Sequence, residues 1–182
     1  MLYQILCIFI AILLFSCNDT NKVTTYKIKK PEAFTRKNIS LKSTSNLNWT
    51  TPHNWIVKSK TDTRIASFNA PFGINSLADV SIIILSDQAN AIEENINRWR
   101  KQINLDNSNL QDILNESLEY ENSLGAFRSF KLLNNTTDEG ILGAIIHYNN
   151  QSIFVKIKTS SIGVKELEYE FILFCKSLYW AD

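Results

Sequence analysis

The sequence predicts one α+β domain, a largely antiparallel sheet with helices packed on its faces. Short segments with period-two alternation recur, several of them joined in pairs by brief polar turns, and two longer segments place apolar residues at helical spacing. The 182-residue chain is 45% apolar and 20% charged, which is ordinary for a globular protein. Strand hairpins interrupted by one helix and closed by another are typical of the α+β class.

The predicted domain begins with a series of strands. Trp49 and Trp55 flank a turn at Pro52, which predicts a short strand on each side. Residues 64–70 form the next predicted strand, in which alternate residues share one face. Residues 79–85 predict another strand, and their run of three isoleucines indicates burial on both faces, hence a central position. The residues predicted to share one face of the earlier strand are Ala66, Phe68 and Ala70.

Residues 89–103 predict the first helix. Its apolar residues fall within about 80° of one another on a wheel of 100° per residue, whereas the charged residues point elsewhere. Ser86 and Asp87 are the candidate N-caps, and a short helical turn is predicted over 110–114. The apolar stripe consists of Ala89, Ile92, Ile96, Trp99 and Ile103.

Two further hairpins and a closing helix complete the predicted domain. The hairpin strands are residues 117–121 with 126–133, and 141–148 with 152–159. In the last of these strands Ile153, Val155 and Ile157 are predicted to face the core, whereas Lys156 and Lys158 are predicted to face water. The closing helix is predicted over 164–180, capped by Ser160 or Ser161. Its predicted buried stripe comprises Val164, Leu167, Phe171, Phe174, Cys175 and Leu178.

The N-terminus reads as an export signal. Residues 5–15 form an apolar run about 16 Å long as a helix, too short to cross about 30 Å of hydrocarbon. The run ends at Leu14-Phe15-Ser16-Cys17, which resembles the bacterial lipobox, in which the cysteine is acylated and the chain is cut before it. We therefore predict a signal peptide over 1–16 and a membrane anchor at Cys17. An uncleaved signal anchor, or a signal peptide with Cys17 present by chance, is the alternative, because no Lys or Arg precedes the run.

Residues 17–43 are predicted to be a basic, flexible tether that precedes a single domain over 44–182. The tether has seven Lys or Arg residues against two acidic residues. Basic residues near an anionic bilayer each contribute about 1 kcal/mol of attraction. The tether is therefore expected either to lie along the membrane or to act as a solvated, mobile spacer.

The sequence shows no catalytic motif. His53 and His147 have no second metal ligand at an established spacing, and no G-x-S-x-G motif or phosphate-binding glycine loop is present. We therefore expect no metal, no cofactor, no nucleic-acid partner and no enzymatic activity. Cys175, the one thiol left in the mature chain, is expected to be buried and inert.

The candidate partner-binding residues are Asn95, Arg98 and Gln102, which lie beside the buried stripe of the first predicted helix. They either form a recognition edge or tie the helix to neighbouring loops by hydrogen bonds. The tryptophans leave a similar choice, because they either line a groove or pack in the core.

A resemblance to a known group rests on the order of several loose motifs. The motifs are Leu47-x-Trp49-x-x-Pro52-x-x-Trp55, Arg64-x-Ala66-x-Phe68, Asn95-x-x-Arg98-Trp99-x-x-Gln102 and Gly143-Ala144. Together they resemble bacterial envelope lipoproteins of unassigned function with a PsbP/Mog/DcrB-like fold, an antiparallel sheet sandwiched between helices. The resemblance implies a non-catalytic accessory role, because members of this broader fold bind larger assemblies or regulatory proteins.

The predicted function is that of a lipid-anchored protein of the bacterial cell envelope, on the periplasmic or outer-membrane side, that binds or scaffolds an envelope protein. Two alternatives stay open. One is a hydrolase of envelope polymers that uses acidic residues brought together only by the fold. The other is a carrier that holds a small apolar ligand between the sheet and a helix.

Overall fold

A seven-stranded antiparallel sheet carries helices on both faces in the computed structural model, which describes residues 46–59, 61–86 and 91–181. This arrangement confirms the predicted α+β class. The predictions for the leader, for Cys17 and for the tether lie outside the described residues. The boundaries proposed for the three segments of the chain therefore stay predictions.

The described residues form strands and helices in the following chain order. They are β1 (Leu47–Asn48), β2 (Ile56–Val57), β3 (Ala66–Phe72), β4 (Ser76–Ser86), α1 (Ile92–Lys101), α2 (Leu110–Glu116), β5 (Leu118–Asn122), β6 (Gly125–Asn134), β7 (Glu139–Tyr148), β8 (Gln151–Thr159), α3 (Ser161–Lys176) and β9 (Tyr179–Trp180). The large sheet has the order β2-β3-β4-β8-β7-β6-β5, and every neighbouring pair is antiparallel. Strands β1 and β9 pair separately.

The turn between β7 and β8 sets the register at the centre of the sheet. Asn149 and Asn150 have φ angles of 46° and 56°, and the flanking Tyr148 and Gln151 pair directly. Two successive positive φ angles match the twist of a two-residue hairpin, and asparagine adopts them more readily than most residues. The predicted loop is therefore confirmed, one residue shorter than expected.

The first face of the sheet packs against α3 and forms the larger core. Phe68 from β3 and Val155 from β8 are buried here, as the period-two pattern predicted. The six residues predicted as the stripe of α3 are also buried. Cys175 is fully buried among them, and this burial raises the pKa of its thiol well above the ordinary value.

The second face of the sheet packs against α1 through Trp99. The indole ring meets Phe130 and Phe154 edge-on, with ring centroids 6.5 and 6.3 Å away. Beneath the ring lies Gly143 of β7, where a side chain would collide with the indole. The small residue and the large one therefore fit together and fix the position of α1 on the sheet.

The predicted boundaries of α1 were partly wrong. Ser86 is not its N-cap, because it is the last residue of β4 and pairs with Gln151 of β8. The N-cap is Ala91, which makes no side-chain capping bond. Asp87 and Ala89 lie outside the described residues, and the helix ends at Lys101, two residues before the buried Ile103.

The closing helix ends earlier than predicted. Its N-cap is Ser160, whose hydroxyl accepts a hydrogen bond from the Gly163 N–H. Ser160 was one of the two predicted N-caps. Its last residue is Lys176, because the segment that follows forms β9. Pairing of β9 with β1 takes up backbone groups that a longer helix would have used.

The tryptophans pack in the core. Trp55 and Trp99 are buried, and Trp49 is half-buried with its ring against Phe68 and Phe174. The Trp55 indole N–H donates to Glu170 Oε2 at 2.8 Å. Of the two roles that the sequence left open, core packing is therefore the one the structure supports.

Candidate functional site

The face of the sheet that carries α1 has two unlike halves. Around β6, β7 and β8 it is apolar and packs against Trp99 and its neighbours. Around β3 and the first part of β4 it is polar, with Ser67, Asn69, Asp79 and Ser81, whereas Ile83 of β4 packs against the apolar half. One row of residues paired across neighbouring strands runs through both halves. In this row Ser67 pairs with Ser81, Ser81 with Lys156, and Lys156 with Gly143. Lys156 therefore stands at the seam between the polar and apolar halves.

Four cations gather at this seam, and we call them the basic cluster: Lys58, Arg64, Lys156 and Lys158. Lys58 and Arg64 share one carboxylate, Asp79, at 2.8 and 3.0 Å. Lys158 contacts Glu139 at 3.0 Å. Four cations thus face two carboxylates, which leaves a surplus of two positive charges within the described residues.

Lys156 is the member of the basic cluster whose positive charge is least compensated by a carboxylate. It is half-buried, and its Nζ donates to the neutral Gln102 Oε1 at 2.8 Å. No carboxylate among the described residues lies within ion-pair distance of it. Burial lowers its pKa below the ordinary lysine value, and the positive charges of Arg64 and Lys158 lower it further, with opposition from Asp79. Such an ammonium gains more than an exposed one from an incoming anion.

The C-terminal end of α1 also meets the basic cluster. Lys158 Nζ donates to the backbone carbonyl of Gln102 at 3.0 Å, where the helix has orphan carbonyls and a partial negative charge. Gln102 therefore binds two lysines, one through its side chain and one through its backbone. Both contacts attach α1 to β8.

The three predicted partner-binding residues are not brought together at one place. Asn95 is buried, donates to the Ala91 carbonyl at 3.1 Å, and accepts from Arg98 Nη1 at 3.2 Å. Arg98 is exposed, whereas Gln102 contacts the basic cluster by accepting a hydrogen bond from Lys156. The bonds of Asn95 match the alternative role of fixing local structure, and partner binding by these residues stays a prediction.

The two carboxyl groups of the site are held in their ionised form. Burial alone would raise the pKa of Asp79, but hydrogen bonds from Arg64 and Lys58 together lower it below the ordinary value. The hydrogen bond from Lys158 is the main cause that lowers the pKa of Glu139. A general acid in a glycosidase needs a raised pKa, so neither group has the property that the hydrolase alternative requires.

The cavities of the described domain are small or open. The space enclosed by α1, α2 and β6 has a volume of about 10 Å³, room for one water molecule and not for an apolar ligand. A shallow depression of about 630 Å³ lies at one end of the sheet, lined in part by Phe72, Leu77 and Ile162. Among the described residues, no three His, Cys, Asp or Glu side chains are placed to hold a metal ion. No helix there is long and apolar enough to span a bilayer.

Sequence reasoning missed most of the basic cluster. Lys156 and Lys158 were predicted to face water, but each is half-buried at the edge of a second core. Phe154 was the available signal, because it precedes them on the same face and is itself buried. A large apolar residue on the supposed water-facing side indicates that this face is also packed.

Comparison with known proteins places the described domain among proteins with a PsbP-like fold, as the resemblance implied. The solution structure of cyanobacterial PsbP, CyanoP, from Synechocystis has a TM-score of 0.50 at 10% identity, over 76% of this chain and 89% of that chain. At this identity the likeness shows the fold alone.

Two other solved structures are similar at a lower TM-score of 0.42. One is a Bacteroides thetaiotaomicron protein at 11% identity, over 75% of this chain and 45% of that chain. The other is LpqN, involved in cell envelope biogenesis of Mycobacterium tuberculosis, at 6% identity over 75% of this chain and 83% of that chain. No protein-family profile matches the sequence, and no curated protein matches it.

Proposed function

We propose that this protein is a lipid-anchored binding domain of the bacterial cell envelope that holds an acidic partner protein against its basic cluster. The anchor is Cys17, and the role is non-catalytic. The observation that carries the proposal is the half-buried Lys156, which has a neutral amide as its hydrogen-bond partner and two cations nearby. A carboxylate from a partner would supply the missing counter-charge.

A half-buried charge at Lys156 lowers the stability of the fold, and this cost supports a functional role for the residue. A buried cation without a counter-ion destabilises a fold, and sites that bind ligands commonly retain such residues at the expense of stability. Lys156→Met keeps the unbranched aliphatic stem and removes the charge. We therefore expect this variant to melt at a slightly higher temperature and to bind the partner at least tenfold more weakly, a change of about 1.4 kcal/mol or more.

The test uses a photo-cross-linking amino acid at Gln102 in the full chain, in intact cells. Position 74 is the matched control, because Ile74 is 97% exposed on the hairpin between β3 and β4. We expect one dominant protein adduct from position 102 and none of the same mass from position 74. The adduct should disappear with Lys156→Glu and persist with Lys131→Glu, which changes the same charge next to Glu168 of α3.

Two results would contradict the proposal. One is an adduct from position 102 that survives Lys156→Glu unchanged. The other is a Lys156→Met variant that is less stable than the parent and binds the partner equally well, because that pattern describes a structural lysine.

A further inference from the structure

Helix α3 exposes a line of apolar residues on the side that it turns away from the sheet. Its exposed apolar residues are Ile162, Tyr169 and Leu173, with exposed fractions of 59%, 75% and 47%. At 100° per residue these three lie within about 40° of one another, so they form one line along the helix. The exposed Lys165, Glu166 and Lys176 fall within about 60° of the first of them.

Helix α1, on the other face of the same sheet, shows the ordinary pattern. Its exposed residues are all charged, namely Glu93, Glu94, Arg98 and Lys101. A polar outer face is what a helix between a sheet and water normally presents. The outer face of α3 therefore departs from a pattern that this same chain follows elsewhere.

The acidic residues of α3 are bound within the domain. Glu166 accepts from the Gly73 N–H, Glu168 from Lys131 Nζ and Glu170 from the Trp55 indole, each at 2.8 Å. Lys165 and Lys176 stay exposed, and the Lys176 ammonium lies 5.2 Å from the centre of the Tyr120 ring. The outer face of α3 thus combines aliphatic and tyrosine side chains with two lysines and the carboxylate of Glu166, a surplus of one positive charge.

The chain outside the described residues joins the domain close to this helix. Asn46 accepts a hydrogen bond from the Ala181 N–H, and β1 pairs with β9, which follows α3 after two residues. The preceding sequence carries seven Lys or Arg residues against two acidic residues over positions 18–43. The basic segment of the sequence therefore precedes a strand that is paired beside the C-terminal end of α3.

We propose that the outer face of α3 lies on an anionic lipid bilayer, with Ile162, Tyr169 and Leu173 at the boundary between headgroups and acyl chains. Lys165 and Lys176 contact the anionic headgroups. Apolar residues interleaved with lysines on one helical face are the pattern of helices that lie in a membrane interface. The contact is made by the folded domain and is additional to the covalent anchor of the proposed function.

This orientation leaves the basic cluster free. Lys156 lies on the face of the sheet that packs against α1, and α3 covers the other face. With α3 on the bilayer, the cluster points away from the membrane. A partner protein would then reach it without competing with lipid.

The test measures how deeply single positions of the full, lipid-modified chain enter a vesicle surface. Tyr169→Cys carries an environment-sensitive dye, and Glu94→Cys on α1 carries the same dye as the reference. Cys175 is fully buried and does not compete for the label. The chains are reconstituted in vesicles of phosphatidylcholine with about 30% phosphatidylglycerol, which give the anionic surface that attracts basic segments. Quenching by doxyl-labelled lipid is then recorded.

We expect at least threefold stronger quenching and a blue-shifted emission at position 169, with the dye at position 94 remaining in water. Lys165→Glu should reduce the quenching at 169 by half or more, as should pure phosphatidylcholine vesicles. Leu110→Glu, an apolar-to-acidic change at an exposed residue of α2 on the opposite face of the sheet, should not. If Tyr169→Cys is poorly folded, Ile162→Cys provides the same measurement from the other end of the line.

Equal quenching at positions 169 and 94, or equal quenching in both kinds of vesicle, would overturn the proposal. The result is separable from that of the proposed function. Lys156→Met should leave the quenching at position 169 unchanged, and Lys165→Glu should leave the cross-link from position 102 unchanged.

Discussion

Gly143→Ala tests the fit between α1 and the sheet. A Cβ atom at this position would approach Trp99 Cε3 to 2.7 Å and Cη2 to 2.8 Å. The indole has little room to move, because it is buried and stands edge-on to both Phe130 and Phe154. Overpacking of this kind costs about 1–3 kcal/mol, against about 0.4–1 kcal/mol gained when alanine replaces glycine at a compatible φ. We expect a net loss of about 1–2 kcal/mol in the free energy of unfolding.

The assay is equilibrium unfolding in urea combined with a double-mutant cycle. For a domain of this size the loss corresponds to a fall of about 3–8 °C in melting temperature. Trp99→Leu removes the ring that causes the overlap, so the cost of Gly143→Ala should shrink by about 1 kcal/mol or more in that background. Additive costs in the cycle, or a Gly143→Ala variant as stable as the parent, would refute the reasoning.

Four further predictions concern other parts of the domain. Trp55→Phe leaves Glu170 without its indole donor and should cost about 1–3 kcal/mol in urea unfolding, whereas Tyr169→Phe, one residue away but exposed, should cost under about 0.5 kcal/mol. Because the pKa of Asp79 is lower in the folded chain than in the unfolded chain, the Asp79 carboxylate of the unfolded chain is protonated at a higher pH. Its stabilising contribution is therefore full above the ordinary value of 3.8 and lost below it, and Asp79→Asn should flatten the acid limb of melting temperature against pH. Cys175 should react with a thiol reagent in unfolded protein and stay unmodified in native protein by peptide mass spectrometry, because its thiol is buried and its pKa raised. Asn150→Ala should cost about 1 kcal/mol in thermal unfolding, because alanine adopts the positive φ of 56° poorly, and Asn150→Gly should not.

The sequence predicted most of the fold because its periodicity is clear where burial is strong. Phe68 and Val155 lie in strands whose alternation matches the core. The ends of helices were predicted less well, because the competing structure is distant in sequence. Nothing near Tyr179 indicates that it leaves the helix to pair with Asn48, 131 positions away. Ser86 has the chemistry of an N-cap, but its backbone is recruited by β8 instead.

The candidate site was predicted only in part, for a related reason. Gln102 was selected because it lies beside the buried stripe of α1, and it does reach the cluster. Lys58 and Arg64 lie far from Lys156 in sequence and meet it only because β8 pairs with β4 and β4 with β3. A charge surplus of this kind is a property of the sheet order, which local periodicity does not encode.

The ladder between β1 and β9 has a mechanical consequence. It pairs Leu47 with Trp180 and Asn48 with Tyr179. The start of the domain, where an N-terminal tether would pull, is therefore bound to the C-terminal strand by two residue pairs. Tension applied at Asn46 would separate β1 from β9 before it reached the large sheet. A circular permutant that joins the two ends of the domain and opens the chain at the Asn149–Asn150 turn would keep every strand of the large sheet. It would move the pulling point to the turn between β7 and β8, at the centre of that sheet.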